Sequence, residues 1–189
     1  MSHNINPDIP NPPLVSDTVL QDRYRIVRQL GRGGMGAVYE AVDQRLGITV
    51  ALKETLSAEA SMRKQFEREA RLLAGMQHPA LPRVSDHFVE GNRAFLVMQF
   101  IGGVDLAKII SEQPGPFPRE QVIAWADQLL DALIYLHSRD RQVIHRDIKP
   151  HNLKLTATGQ IALLDFGLGE DGDFPVLQRR PTQATARLG

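Results

Sequence analysis

Alternating apolar and polar residues dominate the first half of the chain and predict an antiparallel sheet. The alternation has the period of two that half-buried strands show, and glycine-containing turns separate the runs. The predicted strands are residues 24–30, 37–42, 49–53, 83–89 and 94–100.

One helical pattern interrupts these strands. After Ser57, a candidate N-cap, apolar residues recur on one helical face, and His78-Pro79 closes the pattern. The face consists of Met62, Phe66, Ala70 and Leu73. We therefore predict an α+β unit over residues 21–101, with a five-stranded antiparallel sheet and one helix.

The second half, residues 102–189, has a mainly helical pattern. We predict a short helix over 106–111, a long helix over 118–137, and two short strands at 153–155 and 161–164. The long helix carries one apolar stripe of Val122, Ala126, Leu129, Leu133 and Leu136, which Ile123, Leu130 and Ile134 widen. So broad an apolar surface needs cover on more than one side. Residues 169–189 show no periodicity.

The amino-acid composition limits which partners and which cellular compartment we expect for this chain. Its 22 basic and 22 acidic residues balance, which does not favour nucleic acid as a partner, and it has no cysteine for a disulfide or a thiolate site. No window approaches the roughly 18 apolar residues of a membrane span. Residues 1–20 are proline-rich and polar, which predicts a disordered leader. We expect a soluble, cytoplasmic protein.

Glycines crowd the first predicted turn, where residues 31–38 read GRGGMGAV. Without a Cβ, glycine lets backbone N–H groups approach phosphate oxygens. A strand follows the last glycine, whereas the dinucleotide-binding version of this motif requires a helix there. A glycine-rich hairpin with only a structural role remains an alternative.

Lys53 ends the apolar strand sequence VALK. It is either an ordinary edge lysine or a cation that a carboxylate holds against nucleotide phosphates. Glu69 on the predicted helix is the candidate carboxylate, with Glu67 as its competitor.

The sequence HRDIKPHN at residues 145–152 concentrates the most chemistry. Asp147 is a candidate base, Lys149 a cation for a transferring phosphoryl group, and Asn152 with Asp165 a hard-oxygen pair suited to Mg²⁺. His145 and His151 lack the nitrogen or sulfur neighbours of a zinc site. His145 is better explained as a packing and hydrogen-bonding residue of this loop.

Taken in order, GRGGMGAV, VALK, a helical Glu, HRDIKPHN and DFG resemble the motifs of eukaryotic-type (Hanks-type) bacterial Ser/Thr protein kinases. The resemblance implies a protein kinase-like fold, ATP and Mg²⁺ as cofactors, and a protein Ser or Thr hydroxyl as substrate.

The resemblance also implies a role for each matching residue. Asp147, Lys149 and Asn152 are the implied catalytic residues, and Asn152 and Asp165 the implied metal ligands. Lys53 would pair with Glu69, Met98 would be the gatekeeper at the back of the cleft, and Asp105 would contact ribose. The implied ATP site comprises Leu30, Gly31, Arg32, Gly33, Gly34, Met35, Gly36, Ala37, Val38, Ala51, Lys53, Glu69, Met98, Gln99, Ile101, Asp105 and Lys154.

Lys154 departs from the family pattern, because an apolar residue usually forms the floor beneath adenine. We expect its stem to cover the base while its ammonium reaches outward, with a lower adenine affinity. Arg146 is the residue type that receives an activation-loop phosphate, and Thr182 and Thr185 are candidate phosphosites.

The anchor and helices that follow the activation segment in the family are absent from this sequence. It resembles a truncated kinase domain, whose long helix would be covered by the rest of the domain or by a partner. Three functions remain open: a Ser/Thr protein kinase, a non-catalytic nucleotide-binding or interaction module, and a small-molecule phosphotransferase. Lys149 and the full glycine motif argue against the third.

Overall fold

The computed structural model describes residues 12–33, 36–56, 60–139, 141–164 and 176–178. The helices are α1 (Ala60–Ala74), α2 (Leu106–Glu112) and α3 (Arg119–Ser138), and a 3₁₀ turn covers Pro150–Asn152. The strands are β1 (Val19–Leu20), β2 (Tyr24–Gly33), β3 (Gly36–Asp43), β4 (Ile48–Leu56), β5 (Val84–Glu90), β6 (Arg93–Gln99), β7 (Val104–Asp105), β8 (Arg141–Val143), β9 (Leu153–Leu155), β10 (Ile161–Leu163) and β11 (Val176–Gln178).

The first half of the chain forms an antiparallel sheet in the order β1-β2-β3-β4-β6-β5. The predicted five strands are present, but the sheet has six, so the predicted count is wrong. The additional strand, β1, pairs Leu20 with Tyr24. Two residues are too short to show an alternation, which is why the sequence pattern misses it.

Residues 12–20 also correct the predicted boundary of the leader. They pack on the outer face of the sheet, the face opposite α1. There the Leu14 N–H donates to the Tyr39 hydroxyl at 3.2 Å, and Arg93 donates to the Pro12 carbonyl at 2.7 Å. Leu20 is buried in the same place. The prediction of disorder is therefore wrong for this segment, and residues 1–11 lie outside the described residues.

Each face of the sheet has its own apolar core. The outer core contains Leu20, Tyr24, Ile26, Ala37, Tyr39, Ala41, Val50, Leu52, Phe95 and Val97. The inner core begins on α1 with Phe66, Ala70 and Leu73 and continues into the second half through Ala132, Leu136, Leu153 and Leu163. The predicted inner face of α1 is confirmed at these three positions.

Polar contacts join α3 to the connection between α1 and β5. The Gln77 N–H donates to the Tyr135 hydroxyl at 2.7 Å, and the His78 ring lies 3.1 Å from an Asp131 carboxylate oxygen. Further along, the Leu163 N–H donates to the Ala80 carbonyl at 2.8 Å. These hydrogen bonds connect the second half of the chain to the segment between α1 and β5 in the first half.

Short strands complete the second half. β10, β9 and β7 form one small sheet, and β8 pairs with β11. The sequence pattern predicts β9 and β10 but neither β8 nor β11, and it predicts no structure at 176–178. All four strands have three residues, but β9 and β10 are joined by the turn sequence Thr156-Ala157-Thr158-Gly159, whereas β8 and β11 pair across more than 30 residues and have no such local signal.

α3 buries one side only. Ala132 and Leu136 are fully buried, while Ile123, Leu130 and Ile134 are exposed by 46%, 55% and 65%. Val122, predicted to belong to the buried stripe, is also exposed. Within the described residues, no helix is both long and apolar enough to cross a membrane.

Candidate active site

A cleft of about 640 Å³ separates the sheet from the second half. The cleft is lined by residues from the glycine-containing hairpin, the inner face of the sheet, the connection after β6 and the loop at residues 145–152. They include Leu30, Gly31, Val38, Ala51, Lys53, Met98, Gln99, Ile101, Asp105, Asn152 and Lys154. The fold thus brings together most of the predicted nucleotide-site residues that it describes.

The roof of the cleft is the β2–β3 hairpin. Val38 faces the cleft, and because side chains alternate along a strand, its neighbour Ala37 faces the outer core instead. The prediction is therefore wrong for the Ala37 side chain. Gly36 has φ of 149°, and a Cβ there would collide with the Glu54 carbonyl oxygen, so the hairpin requires glycine at this point.

Arg32 and Gly33 extend along the exposed end of the hairpin and do not line the cleft. Gly34 and Met35 lie outside the described residues. The hairpin also contributes a contact that the motif reading misses: Arg28 lines the cleft and pairs with Glu40 across the strands at 2.7 Å. Opposite charges facing each other in the hairpin register were the available signal.

Lys53 lies on β4, half-buried, with Val38 opposite it on β3 and Leu96 opposite it on β6. Strand alternation turns it to the cleft and turns the next residue, Glu54, to the outer face, where Tyr39 and Arg93 contact its carboxylate. Glu69 belongs to α1, but its side chain lies outside the described part, so the Lys53–Glu69 pair stays a prediction.

The connection after β6 forms the back wall. Met98 and Ile101 line the cleft, and the Gln99 N–H donates to the Arg83 carbonyl at 2.8 Å. Gly103 has φ of 119°, and a Cβ there would collide with the Leu155 carbonyl oxygen. Only glycine allows the chain to pass this close to β9.

Asp105 is held by the helix that follows it. Its Oδ1 accepts hydrogen bonds from the Ala107 N–H at 2.7 Å and the Lys108 N–H at 3.3 Å, which makes it the N-cap of α2. The capping contact fixes a carboxylate at the edge of the cleft. The predicted ribose contact stays a prediction.

Lys154 forms part of the floor, as the sequence predicts, but its ammonium does not reach outward. Nζ donates to the Ile101 carbonyl at 2.9 Å and lies 5.4 Å from the centroid of the Phe100 ring. Burial, and then the nearby charge of Arg28, lowers the pKa of Lys154. The Ile101 carbonyl accepts a hydrogen bond from the ammonium, which would otherwise have to extend out of the cleft to be hydrated.

The loop at residues 145–152 is held in place by its first residue, His145. His145 is buried, and its Nε2 lies 3.0 Å from the Leu164 carbonyl, so it joins the loop to the residue before Asp165, as predicted. Arg146, which follows, is exposed and has φ of 61°. A positive φ at a non-glycine residue is uncommon, and here it turns the chain toward Asp147.

Asp147 accepts two side-chain hydrogen bonds at one carboxylate oxygen. Oδ2 lies 2.8 Å from Lys149 Nζ and 2.9 Å from Asn152 Nδ2. The Lys149 hydrogen bond, with a smaller contribution from Asn152, lowers the pKa of Asp147 below its usual value. The carboxylate is therefore ionised at neutral pH, while it stays partly open to solvent.

Asn152 is buried, and two hydrogen bonds fix the orientation of its side-chain amide. Its Nδ2 donates both to Asp147 Oδ2 and to the Asp147 backbone carbonyl, at 2.9 and 2.8 Å, so its carbonyl oxygen faces away from Asp147. An amide oxygen beside the cleft fits a hard cation such as Mg²⁺. Asp165, the second predicted ligand, and the predicted phosphosites Thr182 and Thr185 lie outside the described residues. Among those described, no three His, Cys, Asp or Glu side chains cluster as a metal site.

Comparison with known proteins identifies this arrangement. The family model described as "Protein kinase domain" matches residues 24–177. The chain belongs to the protein kinase domain family. The match covers the cleft, the catalytic loop and both strands of the β9–β10 hairpin.

Bacterial kinases are among the proteins to which this chain is similar. The Myxococcus xanthus protein named serine/threonine-protein kinase pkn2 is 41% identical over 156 residues, which are 79% of this chain and 18% of pkn2. Serine/threonine-protein kinase PknA of Mycobacterium tuberculosis is 36% identical over 177 residues, 89% of this chain and 40% of PknA. The chain thus spans less than half the length of either kinase.

Solved kinase structures have the same fold. The Mycobacterium tuberculosis PknI kinase domain, as a double mutant, superposes with a TM-score of 0.72 at 28% identity, covering 87% of this chain and 66% of that one. The apo form of PpkA-294 superposes with a TM-score of 0.69 at 29% identity, covering 82% and 62%. The predicted α+β, kinase-like fold is confirmed.

Proposed function

We propose that this chain binds Mg-ATP in the cleft and transfers the γ-phosphate to a Ser or Thr hydroxyl of a protein substrate. The observation that carries the proposal is the carboxylate of Asp147, ionised and aimed by Lys149 and Asn152 beside a cleft that contains Lys53. An aligned base beside a cation-containing cleft suits phosphoryl transfer to a hydroxyl.

Asp147 orients the substrate hydroxyl and accepts its proton. Its Oδ2 is already occupied by Lys149 and Asn152, so Oδ1 is the oxygen that receives the hydroxyl proton. The low pKa makes Asp147 a weak base, which suits a loose transition state in which the proton leaves late. Its main contribution is therefore alignment of the attacking oxygen.

Lys149 and Lys53 supply positive charge on two sides of the reaction. Lys149 lies 2.8 Å from the base and is half-exposed, so it can also reach the transferring phosphoryl group. Lys53 enters from the sheet above and holds the remaining phosphates. The side-chain oxygens of Asn152 and Asp165 would hold Mg²⁺, which would neutralise phosphate charge; the role of Asp165 is a prediction from the sequence.

The nucleotide base would lie deeper in the cleft. Leu30 and Val38 cover it from above, Met98 and Ile101 border it at the back, and the Lys154 stem lies below. We place the proposed reaction in the cytoplasm, where ATP is plentiful, because the chain has no cysteine and so no disulfide that would need an oxidising compartment.

A second candidate function is a non-catalytic nucleotide-binding or interaction module. The observation that favours it is the exposed apolar row of Ile123, Leu130 and Ile134 on α3. We propose that further protein covers this row, either more of the same domain or a partner, because exposed apolar rows of this kind mark interaction surfaces.

Transfer of radiolabelled phosphate from Mg-ATP to serine- and threonine-containing protein substrates tests the proposal. Lys53→Met should lower transfer about 100-fold, because one charge that meets the phosphates is lost. Arg25→Met is the control, since Arg25 lies outside the cleft and pairs with the exposed carboxylate of Asp17 at 3.1 Å. Mg-ATP binding without any transfer would favour the second candidate function.

A further inference from the structure

A buried polar network lies on the outer face of the sheet, on the side opposite the cleft. At its centre is Glu54 of β4, which follows Lys53 and is 5% exposed. On β3, the Tyr39 hydroxyl donates to Glu54 Oε2 at 2.9 Å. On β6, Arg93 Nη1 lies 3.2 Å from Glu54 Oε1, in an ion pair that lacks hydrogen-bond geometry. Each carboxylate oxygen therefore has a partner on one of the two strands that flank β4.

Residues 12–14 complete this network. The Leu14 N–H donates to the Tyr39 hydroxyl at 3.2 Å, and Arg93 Nη2 donates to the Pro12 carbonyl at 2.7 Å. The Leu14 side chain also packs against the outer core. Two separate chains of polar contacts thus connect Glu54 to the N-terminal segment, one through Tyr39 and one through Arg93. We call Tyr39, Glu54, Arg93 and residues 12–14 the Glu54 network.

Packing alone does not account for a carboxylate at this position. The surrounding outer core is apolar, and burial of a charged group is unfavourable even when the group is paired. An apolar side chain would fill the same space without that penalty. A paired carboxylate instead fixes position, because hydrogen bonds weaken steeply once their distance and angle leave the preferred range. The Glu54 network therefore specifies where β4 lies relative to β3, β6 and residues 12–14.

The position of Glu54 determines the position of Lys53. A single planar peptide unit joins the two residues and keeps their Cα atoms about 3.8 Å apart. Because side chains alternate along a strand, Glu54 faces the network while Lys53 faces the cleft. A shift of β4 at Glu54 therefore moves the Lys53 ammonium relative to bound phosphates, and the attraction between opposite charges falls with their distance.

We propose that Glu54 and Tyr39 are positioning residues, which couple the attachment of residues 12–14 to the placement of Lys53 and so raise the affinity of the cleft for Mg-ATP. The inference rests on the proposed function, because it assumes that Lys53 meets the nucleotide phosphates. It extends that function by giving the N-terminal segment control over nucleotide binding. Since coupling between two sites is reciprocal, bound Mg-ATP in turn stabilises the contact between Leu14 and Tyr39.

Calorimetric titration with Mg-ATP tests the effect of the network on the cleft. Tyr39→Phe keeps the ring in the outer core but removes the hydroxyl that joins Leu14 to Glu54. Its dissociation constant for Mg-ATP should rise at least about five-fold, the lower end of typical coupling between sites. Ile26→Val is the control, because it removes one methyl group from the same core on β2, a strand that does not pair with β4. It should also lower stability but leave the dissociation constant within about two-fold of the original.

Hydrogen exchange at the Leu14 amide, followed by NMR, tests the effect of the cleft on the network and needs no variant. Saturating Mg-ATP should slow this exchange at least about five-fold, since reciprocity requires the same factor in both directions. The Gly47 amide, which donates to the Asp43 carbonyl at 2.8 Å in the turn before β4, is the internal control. Its exchange should change by less than about two-fold, because this turn lies outside the Glu54 network.

The outcomes separate this inference from the proposed function. If the chain binds Mg-ATP but Tyr39→Phe raises the dissociation constant by less than about two-fold, or if Mg-ATP leaves the Leu14 exchange unchanged, the positioning role alone is overturned. If Tyr39→Phe lacks the cooperative melt of a folded chain, the Leu14 exchange of the unmodified chain decides. A folded chain that binds no Mg-ATP would mean that both the inference and the proposed function are wrong.

Discussion

The two halves of the molecule bury their apolar surfaces differently. The sheet of residues 19–99 has a closed apolar core on each face, and even its outer face is covered by residues 12–20. α3 in the second half packs on one side and leaves Ile123, Leu130 and Ile134 exposed. The half that supplies the roof of the cleft thus has a packed apolar core on each face of its sheet, while the half that supplies the loop at residues 145–152 has an open side.

The two parts of the proposed reaction, nucleotide binding and alignment of the substrate hydroxyl, therefore depend on different packing contacts. The position of Lys53 rests on β3, β4 and β6, which are held between two cores. Asp147 rests on local contacts with Lys149, Asn152 and, through the loop, His145. Substitutions on the exposed face of α3 should therefore leave nucleotide binding unchanged. Substitutions in each half test whether the two halves differ in packing as described.

The largest effect is expected in the outer core. Phe95 is fully buried and stacks on Phe88, with their ring centroids 5.0 Å apart. Phe95→Ala leaves a cavity between closely packed strands and should lower the free energy of unfolding by about 3–5 kcal/mol. Urea denaturation measures it. A loss below about 1 kcal/mol would mean that the outer core is not the well-packed region described above.

A smaller effect is expected at Asp43, a buried carboxylate in the same half. Arg23 binds both of its oxygens, at 2.7 to 3.0 Å, and the Arg45 and Leu46 N–H groups donate to Oδ1. Asp43→Ala should lower the free energy of unfolding by about 2 kcal/mol at pH 7. Asp17→Ala is the control, because its pair with Arg25 is exposed and should contribute under about 0.5 kcal/mol.

The effect of Asp43 should depend on pH in a defined direction. The hydrogen bond with Arg23 is the main cause that lowers the pKa of Asp43 in the folded chain. Its contribution is therefore complete above the unfolded pKa of about 4 and is lost as the pH falls through the lower folded pKa. The difference between the original chain and Asp43→Ala should shrink below pH of about 4. A difference that grows on acidification would contradict this assignment.

The smallest effect is expected on the open face of α3. Ile134 is 65% exposed, so Ile134→Ser should change the free energy of unfolding of this chain by less than about 0.5 kcal/mol. Leu136→Ala, two residues away on the buried side, should cost about 2–5 kcal/mol. Equal losses for the two variants in urea denaturation would mean that α3 has no open side.

The same contrast explains what the sequence predicts well. β3 alternates between buried and partly buried residues over eight positions, and β6 is a run of apolar residues packed between two cores, so both strands can be predicted from the sequence pattern. β1 and β8 have two and three residues and depend on a partner strand that no local pattern reveals. The motif HRDIKPHN likewise predicts that Asp147, Lys149 and Asn152 lie together, because they are only two to five residues apart, and their hydrogen bonds confirm this proximity.

Other parts of the site depend on tertiary contacts that no motif encodes. Val38 faces the cleft and Ala37 the outer core, although both stand in one motif, because strand alternation separates adjacent side chains. The direction of Lys154 is set by a backbone carbonyl 53 residues earlier in the chain. A polar side chain near a cleft can form its hydrogen bonds with the protein or with water, and the tertiary structure determines which of the two occurs.

One measurement tests the central proposal most directly: phosphate transfer to protein Ser or Thr by the original chain and by Asp147→Asn, with Mg-ATP binding measured on both. The replacement keeps the shape and removes the charge that accepts the proton. We expect transfer to fall by about 10²–10⁴-fold while the dissociation constant for Mg-ATP changes by less than about three-fold. Transfer that is unchanged in Asp147→Asn would contradict the proposal that this carboxylate serves the reaction.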